Sequence, residues 1–440
     1  MDILIKIAQL FLCFTILVGI HELGHFLMAR AFKIRVEKFY IFFDPWFSLF
    51  KFKRGDTEYG LGWLPLGGYV KIAGMIDESM DKEQMKQPVK PDEFRAKPAW
   101  QRLLVMVAGV MMNVLLAIVI YCAVCYTWGD SYFSNQDAKW GYNFNPTAHE
   151  MGFRDGDRFV SIDGEEIDNV MRVQNDLLIT DGGRRVVVER GGEPVTLDIP
   201  FESLLRMRQE KAYEDLFTLR LPFIVDSVSY TSAVEAGLES GDEVVAIDDL
   251  RDADYPRYRD YLQKHKNDKV LLTVRRDGAL IDSLALPVDA EGRIGVTVTN
   301  PYSLRTQYYT FWESIPAGIH KAGKTISSYW DQLKLIVQPK TKMYEELGGF
   351  VAIGSIFPGS WDWHDFWLKT AFLSIILAVM NLLPIPGLDG GHALFTLWEI
   401  ITRRKPSEKF LKVAQYVGLM IILALLVYAN GNDIYRFFIK

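Results

Sequence analysis

Long apolar segments alternate with charged segments along this 440-residue chain, and the alternation limits the folds that the chain can adopt. A helix needs about 20 predominantly apolar residues to cross the hydrocarbon core of a bilayer. Four segments meet or approach this length, at 3–28, 103–128, 370–386 and 411–428. The sequence therefore predicts a polytopic α-helical membrane protein with four transmembrane helices.

Lysine and arginine residues next to the apolar segments predict the topology, because loops rich in these residues stay in the cytosol. Basic residues are concentrated between 29 and 102 and between 388 and 410, whereas none follows the second apolar segment before Lys139. Both termini and the long segment 129–365 are therefore predicted to lie outside the cytosol. The net charge of -6 and the lack of a basic tail give no indication of nucleic-acid binding.

The long outer segment contains an internal duplication with an offset of 85 residues. The repeated residues are alanines, glycines and Gly-Asp pairs: Ala148, Gly152, Gly156, Asp157 and Ile162 recur as Ala233, Gly237, Gly241, Asp242 and Ile247. A unit of this length has the size of a domain, and short strands between Gly-Asp turns predict β-rich modules. The pattern resembles two tandem PDZ-like domains outside the membrane, at 129–215 and 216–300. Such modules bind extended peptides or serve as spacers and size filters, and both alternatives stay open.

The apolar and charged patterns also predict the structure of 301–366 and the order of the segments along the chain. Apolar residues recur at helical spacing from Ile315 to Ile336, and three tryptophans precede the third apolar segment, so an amphipathic interfacial helix is predicted within 301–366. The predicted order is helix 1 at 1–30, a cytosolic loop at 31–100, helix 2 at 101–128, the outer segment, helix 3 at 367–390, a cytosolic loop at 391–410, and helix 4 with a short outer tail at 411–440.

An HExxH sequence, from His21 through Glu22 to His25, lies near the end of the first apolar segment. Residues four apart share one face of a helix, so both imidazoles can bind one zinc ion. Glu22 lies beside this face and can accept a proton from the attacking water. A polar cap at the helix end is the alternative, but ionisable residues in apolar segments are costly and rarely kept without a role.

A catalytic zinc site needs a third protein ligand and an open position. Asp389 stands in a stretch rich in proline and glycine, 381–391, at the end of the third apolar segment. The first and third segments cross the membrane in the same direction, so Asp389 should meet His21 and His25 at the cytosolic face. His392 is a rival ligand, and Asp389 is favoured because the prolines and glycines shape the backbone around it.

The HExxH sequence, the 381–391 stretch and the PDZ-like repeats between them resemble the site-2 protease family over essentially the whole chain. The resemblance implies a zinc metalloendopeptidase that binds one Zn²⁺ per chain through His21, His25 and Asp389, with Glu22 as the general base. It also implies a bacterial inner-membrane enzyme with its active site toward the cytosol. Its substrates would be single-pass transmembrane proteins, such as anti-sigma factors or remnant signal peptides, in regulated intramembrane proteolysis.

The same resemblance suggests which residues hold the substrate. A membrane-dipping β-hairpin at 65–75 would pair its exposed edge with the unwound substrate, and an asparagine near the cleavage site would bind substrate backbone. An element of the second span, 109–113, is the third candidate. The implied substrate-binding residues are Gly67, Gly68, Tyr69, Val70, Asn381 and Asn113.

Two other classes of protein explain part of the sequence. A non-catalytic, membrane-anchored PDZ scaffold accounts for the duplication but leaves the HExxH sequence and the 381–391 stretch without a purpose. A metal transporter would also hold His and Asp inside its spans, but transporters usually show repeat symmetry among spans, and none is evident in the four apolar segments.

Overall fold

The structure is a computed structural model that describes residues 2–64, 67–75, 88–213, 215–251 and 254–439. The chain divides into two compact units. The first combines Met1–Asp130 with Gln307–Lys440, and the second is Ser131–Thr306.

The helices and strands are numbered in chain order. The helices are α1 (Asp2–Ala31), α2 (Ala99–Trp128), α3 (Pro146–Glu150), α4 (Val173–Leu178), α5 (Phe201–Gln209), α6 (Thr231–Glu235), α7 (Tyr255–Lys264), α8 (Phe311–Val337), α9 (Phe350–Ser355), α10 (Trp363–Leu382), α11 (Asp389–Thr402) and α12 (Glu408–Ile434). The strands are β1 (Val36–Ile41), β2 (Phe43–Arg54), β3 (Thr57–Leu64), β4 (Tyr69–Ile72), β5 (Asp130–Tyr132), β6 (Tyr142–Phe144), β7 (Arg158–Ile162), β8 (Glu165–Glu166), β9 (Arg184–Arg190), β10 (Glu193–Ile199), β11 (Phe217–Leu219), β12 (Phe223–Val228), β13 (Glu243–Ile247), β14 (Leu250–Arg251), β15 (Lys269–Arg276), β16 (Ala279–Pro287), β17 (Val296–Val298) and β18 (Arg305–Gln307).

Four helical segments of the described chain are long and apolar enough to cross a membrane: α1, α2, α10 and Lys409–Phe437, which contains most of α12. They coincide with the four apolar segments of the sequence and fit a membrane protein with β-rich domains. Asp2 in the first turn of α1 and Arg30 in its last turn favour the helix electrostatically, because a helix dipole attracts anions to its start and cations to its end.

The third membrane helix ends earlier than the sequence predicted. α10 stops at Leu382, and Leu383 is extended with φ -59° and ψ 141° because the proline that follows excludes helical geometry. Asp389 is therefore not the end of the predicted helix at 367–390 but the first residue of a new helix, α11. Most of the predicted loop at 391–410 is helical, because α11 continues to Thr402.

Strands of the first unit form a sheet in the order β2-β3-β1-β4, in which β1 is parallel to β3 and antiparallel to β4. This corrects the predicted hairpin at 65–75. Pro65 and Leu66 lie outside the described residues, and the segment after them supplies β4, an edge strand paired with β1. Gly67, two residues before β4, has a φ of +140°, a conformation that favours glycine.

α8 is the helix predicted within 301–366, and its apolar face packs on other helices. Ser314, Gly318 and Ala322 are buried at helical spacing. A Cβ atom on Gly318 would lie 2.5 Å from the main-chain nitrogen of Cys122 on α2, so this crossing requires a residue without a side chain. The helical periodicity therefore reflects packing against α2 and α10, while a position along the membrane surface stays a prediction.

The second unit contains two β-rich copies. The first has the sheet β10-β9-β7-β8 and the pair β11-β6, and the second has the sheet β16-β15-β13-β12-β17 with β14 on β13. The predicted boundary at 215/216 moves, because β11 pairs with β6 and Phe217 packs with its ring 5.3 Å from that of Tyr142. Their identity as PDZ-like domains stays a prediction.

The duplication is visible as a repeated ion pair. Asp157 is 1% exposed and accepts hydrogen bonds of 2.8 and 2.7 Å from Arg190. Asp242, its counterpart in the second copy, is fully buried and accepts hydrogen bonds of 2.6 and 2.8 Å from Arg276. Burial alone raises the pKa of Asp242, but hydrogen bonds from Arg276 and from the main-chain N–H of Glu239 outweigh it, so the pKa lies below its ordinary value.

Candidate metal centre and cleft

Helix α1 places two imidazoles on one buried face. His21 and His25 are four residues apart, each 7% exposed, and their ring centroids lie 4.9 Å from one another. Gly24 lies between them and allows α2 to approach, because a Cβ atom there would lie 2.5 Å from the carbonyl oxygen of Ala108. The sequence therefore brings α1 and α2 into direct backbone contact beside the two histidines.

Asp389 joins the two histidines from the start of α11. Its Oδ2 lies 3.0 Å from Nε2 of His21 and 3.2 Å from Nε2 of His25, and the two Nε2 atoms are 3.2 Å apart. Among the described residues, these three form the group of ligand-type side chains that lie within 4.8 Å of one another. His392, the rival ligand, does not belong to this group.

The loop before α11 explains how Asp389 reaches this position. Gly387 has a φ of +101°, which favours glycine. A Cβ atom on Gly391 would lie 2.5 Å from the carbonyl oxygen of Ile385, so the loop can fold against the start of α11 only because glycine stands there. The negative charge of Asp389 is also favourable in the first turn of a helix.

Helix α2 contacts both imidazoles from behind. Nδ1 of His25 lies 2.8 Å from the carbonyl oxygen of Val105, and Nδ1 of His21 lies 3.3 Å from Nδ2 of Asn113. Between them, a Cβ atom on Gly109 would lie 2.5 Å from Nε2 of His25 and 2.9 Å from Nε2 of His21. Sequence reasoning assigned no role to Val105 and named Gly109 only as the start of the 109–113 element. The three residues stand four positions apart in succession, at 105, 109 and 113, which places them on one helix face.

The arrangement fits a zinc ion. Zinc binds histidine nitrogen and carboxylate oxygen at about 2.0–2.2 Å in a tetrahedral geometry, which places ligand atoms about 3.3 Å apart. The three separations of 3.0–3.2 Å are close to that value. Asp389 Oδ2 is buried yet accepts no hydrogen bond of normal geometry, although two imidazole nitrogens lie close to it. A buried carboxylate oxygen without a hydrogen bond, facing two imidazole nitrogens, is expected where a cation would be held, and three protein ligands leave the fourth position open.

A cleft of about 870 Å³ opens beside this triad. Glu22, which lies next to the ligand face of α1, lines it together with the two histidines and Asp389. Five of the six predicted substrate-binding residues also line the cleft: Gly67, Gly68, Tyr69, Val70 and Asn381. Asn113 does not line it and is fully buried behind His21.

The edge strand β4 and the segment before it form one wall of the cleft. A Cβ atom on Gly68 would lie 2.9 Å from Val18 Cγ1 and 3.4 Å from Glu22 Cγ, so the backbone passes close to the HExxH helix. Tyr69 anchors this wall, because its hydroxyl donates a 2.9 Å hydrogen bond to Asp44 and its ring stacks on that of Tyr40. Burial, with a contribution from Asp44, raises the pKa of Tyr69.

Known proteins are similar to this chain over almost its whole length. Residues 9–425 match Peptidase family M50. A protein of Clostridium perfringens (strain 13 / Type A) with zinc metalloprotease in its name is 30% identical over 427 residues, covering 96% of each chain. Regulator of sigma E protease of Haemophilus influenzae is 27% identical over 460 residues, covering 99% of this chain and 100% of the relative.

A Vibrio cholerae protein, also with zinc metalloprotease in its name, is 29% identical over 462 residues and covers 99% of each chain. The family match spans both histidines, Asp389 and the whole outer segment between them. The resemblance to site-2 proteases is thereby confirmed, and with it the prediction of a metalloprotease. This chain belongs to Peptidase family M50, the site-2 protease family of membrane metalloproteases.

Proposed function

We propose that this metalloprotease cuts the transmembrane segments of single-pass membrane proteins at a zinc centre held by His21, His25 and Asp389. One observation carries the proposal. The three ligand-type atoms lie 3.0–3.2 Å apart, at a cleft that also contains the HExxH glutamate and an edge strand. The cleft therefore combines a place for the metal, a base and a surface for an extended peptide.

The edge strand addresses the main difficulty of cutting a transmembrane helix. Hydrolysis requires the helix to unwind locally, and backbone groups freed in lipid need hydrogen-bond partners. β4 is paired with β1 on one side, and within the described residues no strand pairs with its other side. An unwound substrate could add there as a further strand, and Asn381, which also lines the cleft, could bind its backbone.

Glu22 is proposed as the general base. Zinc, when bound, polarises the scissile carbonyl and makes water more acidic. The Glu22 carboxylate lies beside the ligand face without belonging to the ligand group, so it can accept the proton of the attacking water and pass it to the leaving amine. These are the roles expected for an HExxH glutamate.

Glu22→Gln tests this assignment in detergent-purified protein. The variant should retain zinc, because Glu22 is not in the ligand group, while cleavage of a model transmembrane segment should fall by at least about 100-fold, the lower end of general-base effects. Asp331→Asn is a matched control, since this carboxylate is 45% exposed on α8 and pairs with Lys334. Wild-type cleavage by Glu22→Gln would contradict the assignment.

The substrates are proposed to be membrane-anchored regulators such as anti-sigma factors, or remnant signal peptides. The name of the Haemophilus influenzae relative, Regulator of sigma E protease, supports a role in regulated intramembrane proteolysis. Candidate single-pass proteins co-expressed with the wild type should yield shorter fragments, and those co-expressed with Glu22→Gln should accumulate uncut. Equal fragment patterns in the two strains would exclude that candidate as a substrate.

The proposed location is a bacterial inner membrane, with both termini periplasmic and the zinc centre toward the cytosol. The basic residues at 29–102 and 388–410 support this orientation. A reporter enzyme that is active only in the periplasm should be active when fused at residue 440 and inactive when inserted near residue 405. The reverse pattern would overturn the topology.

The two β-rich copies are proposed to restrict which substrates reach the cleft. Their position in the chain, between the second and third membrane helices, supports a role outside the membrane. Deleting 145–290 should allow cleavage of substrates that still carry bulky outer domains. An unchanged substrate range would favour the spacer role. Loss of cleavage of all substrates, including small ones, would favour a role in peptide binding.

A further inference from the structure

Asn113 was predicted from the sequence to contact substrate, and its position suggests a different role. We propose that Asn113 is a positioning residue for the zinc ligand His21, with its side-chain oxygen accepting a hydrogen bond from Nδ1–H of that imidazole. This inference rests on the proposed zinc centre. It assigns to the second membrane helix the task of orienting the metal ligands of the first.

The surroundings of Asn113 exclude direct contact with a substrate in the cleft. Its side chain is fully buried and is not among the residues that line the cleft. Its main-chain oxygen accepts a 2.8 Å hydrogen bond from Ser374 Oγ, and Ser374 is also fully buried. Asn113 is therefore held between α1, α2 and α10, on the side of His21 that faces away from the zinc ligand atoms.

The hydrogen bonds of the Asn113 amide are incomplete, and they indicate that its oxygen and nitrogen should exchange positions. Asn113 Nδ2 lies 3.3 Å from Nδ1 of His21, while Oδ1 is buried without a hydrogen-bond partner. When Nε2 of His21 binds a metal, the imidazole carries its proton on Nδ1, which then needs an acceptor. Rotating the amide by 180° brings Oδ1 of Asn113 to Nδ1–H of His21, so that this oxygen gains a donor and the imidazole N–H gains an acceptor.

The second histidine shows the same arrangement with a backbone acceptor. Nδ1 of His25 lies 2.8 Å from the carbonyl oxygen of Val105, which precedes Asn113 by about two turns on the same face of α2. In a helix, the carbonyl of residue 105 lies beside residue 109, and Gly109 has no side chain to cover it. Each zinc-binding imidazole is therefore matched with one oxygen acceptor on α2, and both Nε2 atoms are directed at Asp389.

The expected effect is on zinc affinity. Loss of a hydrogen-bond partner of a zinc-binding histidine typically lowers metal affinity by about 10–100-fold. Asn113→Leu keeps the approximate size of the side chain and removes the acceptor, so it should show this loss. Asn113→Asp retains an oxygen acceptor and should stay within about 3-fold of the wild type, since carboxylates also orient zinc-binding histidines. A substrate-contact role predicts instead an unchanged zinc affinity and a raised KM.

The experiment measures zinc dissociation constants of the detergent-purified full chain by competition with a chelating indicator. Ser374→Ala is the matched control, because it removes the hydrogen bond to the Asn113 main chain but leaves the amide in place. Asn113→Ala replaces Asn113→Leu should the latter fail to elute as a monodisperse protein. Weakened zinc binding in Asn113→Leu, with Asn113→Asp and Ser374→Ala near the wild type, supports the proposal.

Wild-type zinc affinity in Asn113→Leu would overturn it, as would equal weakening in Asn113→Leu and Asn113→Asp, which would indicate packing rather than an acceptor. Failure of the wild type itself to bind zinc would overturn the proposed function. The two failures are thus separate results of one titration.

Discussion

Gly109→Ala should weaken zinc binding without unfolding the protein. The added Cβ atom would lie 2.5 Å from Nε2 of His25 and 2.8 Å from Cε1 of His21. Non-bonded atoms prefer separations of about 3.5–4.0 Å, so the His25 ring must move by about 1 Å. Metal–ligand distances tolerate only about 0.2 Å, and we therefore expect zinc affinity to fall by about 100-fold, which corresponds to about 3 kcal/mol.

The same substitution elsewhere in the chain provides the control. Gly323 lies in α8, and a Cβ atom built on it meets nothing within 4 Å. Alanine is favoured over glycine inside a helix by about 1 kcal/mol, so Gly323→Ala should leave zinc binding unchanged and should not lower thermal stability. Helix propensity alone would also favour Gly109→Ala. A loss of zinc binding in this variant would therefore not result from a weaker helix.

The assay is zinc per chain by mass spectrometry, followed by the dissociation constant from competition with a chelating indicator. Elution volume and apo-protein melting temperature report folding. A Gly109→Ala protein that binds zinc as tightly as the wild type would contradict this expectation, because the two imidazoles would then have room that the structure does not show.

Three further predictions concern the cleft wall and the outer segment. Gly68→Ala places a Cβ atom 2.7 Å from the carbonyl oxygen of Tyr40, so kcat/KM for a model substrate should fall at least about 10-fold with zinc content unchanged. Asp242→Asn removes a buried carboxylate that accepts two hydrogen bonds from the partly exposed Arg276, which keeps Glu239 as a second partner. It should destabilise the second β-rich copy by about 1–3 kcal/mol, whereas Asp198→Asn, at a carboxylate 71% exposed, should cost less than about 0.5 kcal/mol in denaturant unfolding. The lowered pKa of Asp242 means that its contribution to stability is complete above the ordinary value of about 3.9 and is lost as the pH falls through the lower folded value. The protection factors of β13 and β15 amides, corrected for the pH dependence of intrinsic exchange, should therefore fall only below about pH 4. Lower protection factors at pH 5–6 than at pH 7 would contradict this assignment.

The sequence predicted the features that depend on composition and on chain direction. Apolar length alone identified the four membrane helices, since only about 20 apolar residues are needed to mark a span. The meeting of His21 and Asp389 followed from the shared direction of the first and third helices, and the structure brings their ligand atoms to 3.0 Å. The 85-residue offset likewise predicted that Asp157 and Asp242 are equivalent, and each forms an ion pair with an arginine of its own copy.

Features that depend on contacts between distant residues were not predictable in this way. β4 pairs with β1 across about thirty residues, whereas the resemblance to the family implied a hairpin at 65–75. The prolines after Leu382 marked a break, but only the structure shows that Asp389 starts a new helix. Asn113 lies on an apolar helix, and nothing in the local sequence distinguishes an asparagine that faces a substrate from one that faces a histidine ring.

X-ray absorption at the zinc edge of the purified full chain would show directly whether His21, His25 and Asp389 bind zinc. We expect one zinc per chain, with two imidazole nitrogens and oxygen ligands at about 2.0–2.2 Å. The imidazole signal should be reduced in His25→Ala. A zinc-free chain, a shell that contains sulfur, or a spectrum unchanged by His25→Ala would contradict a metal centre formed by His21, His25 and Asp389.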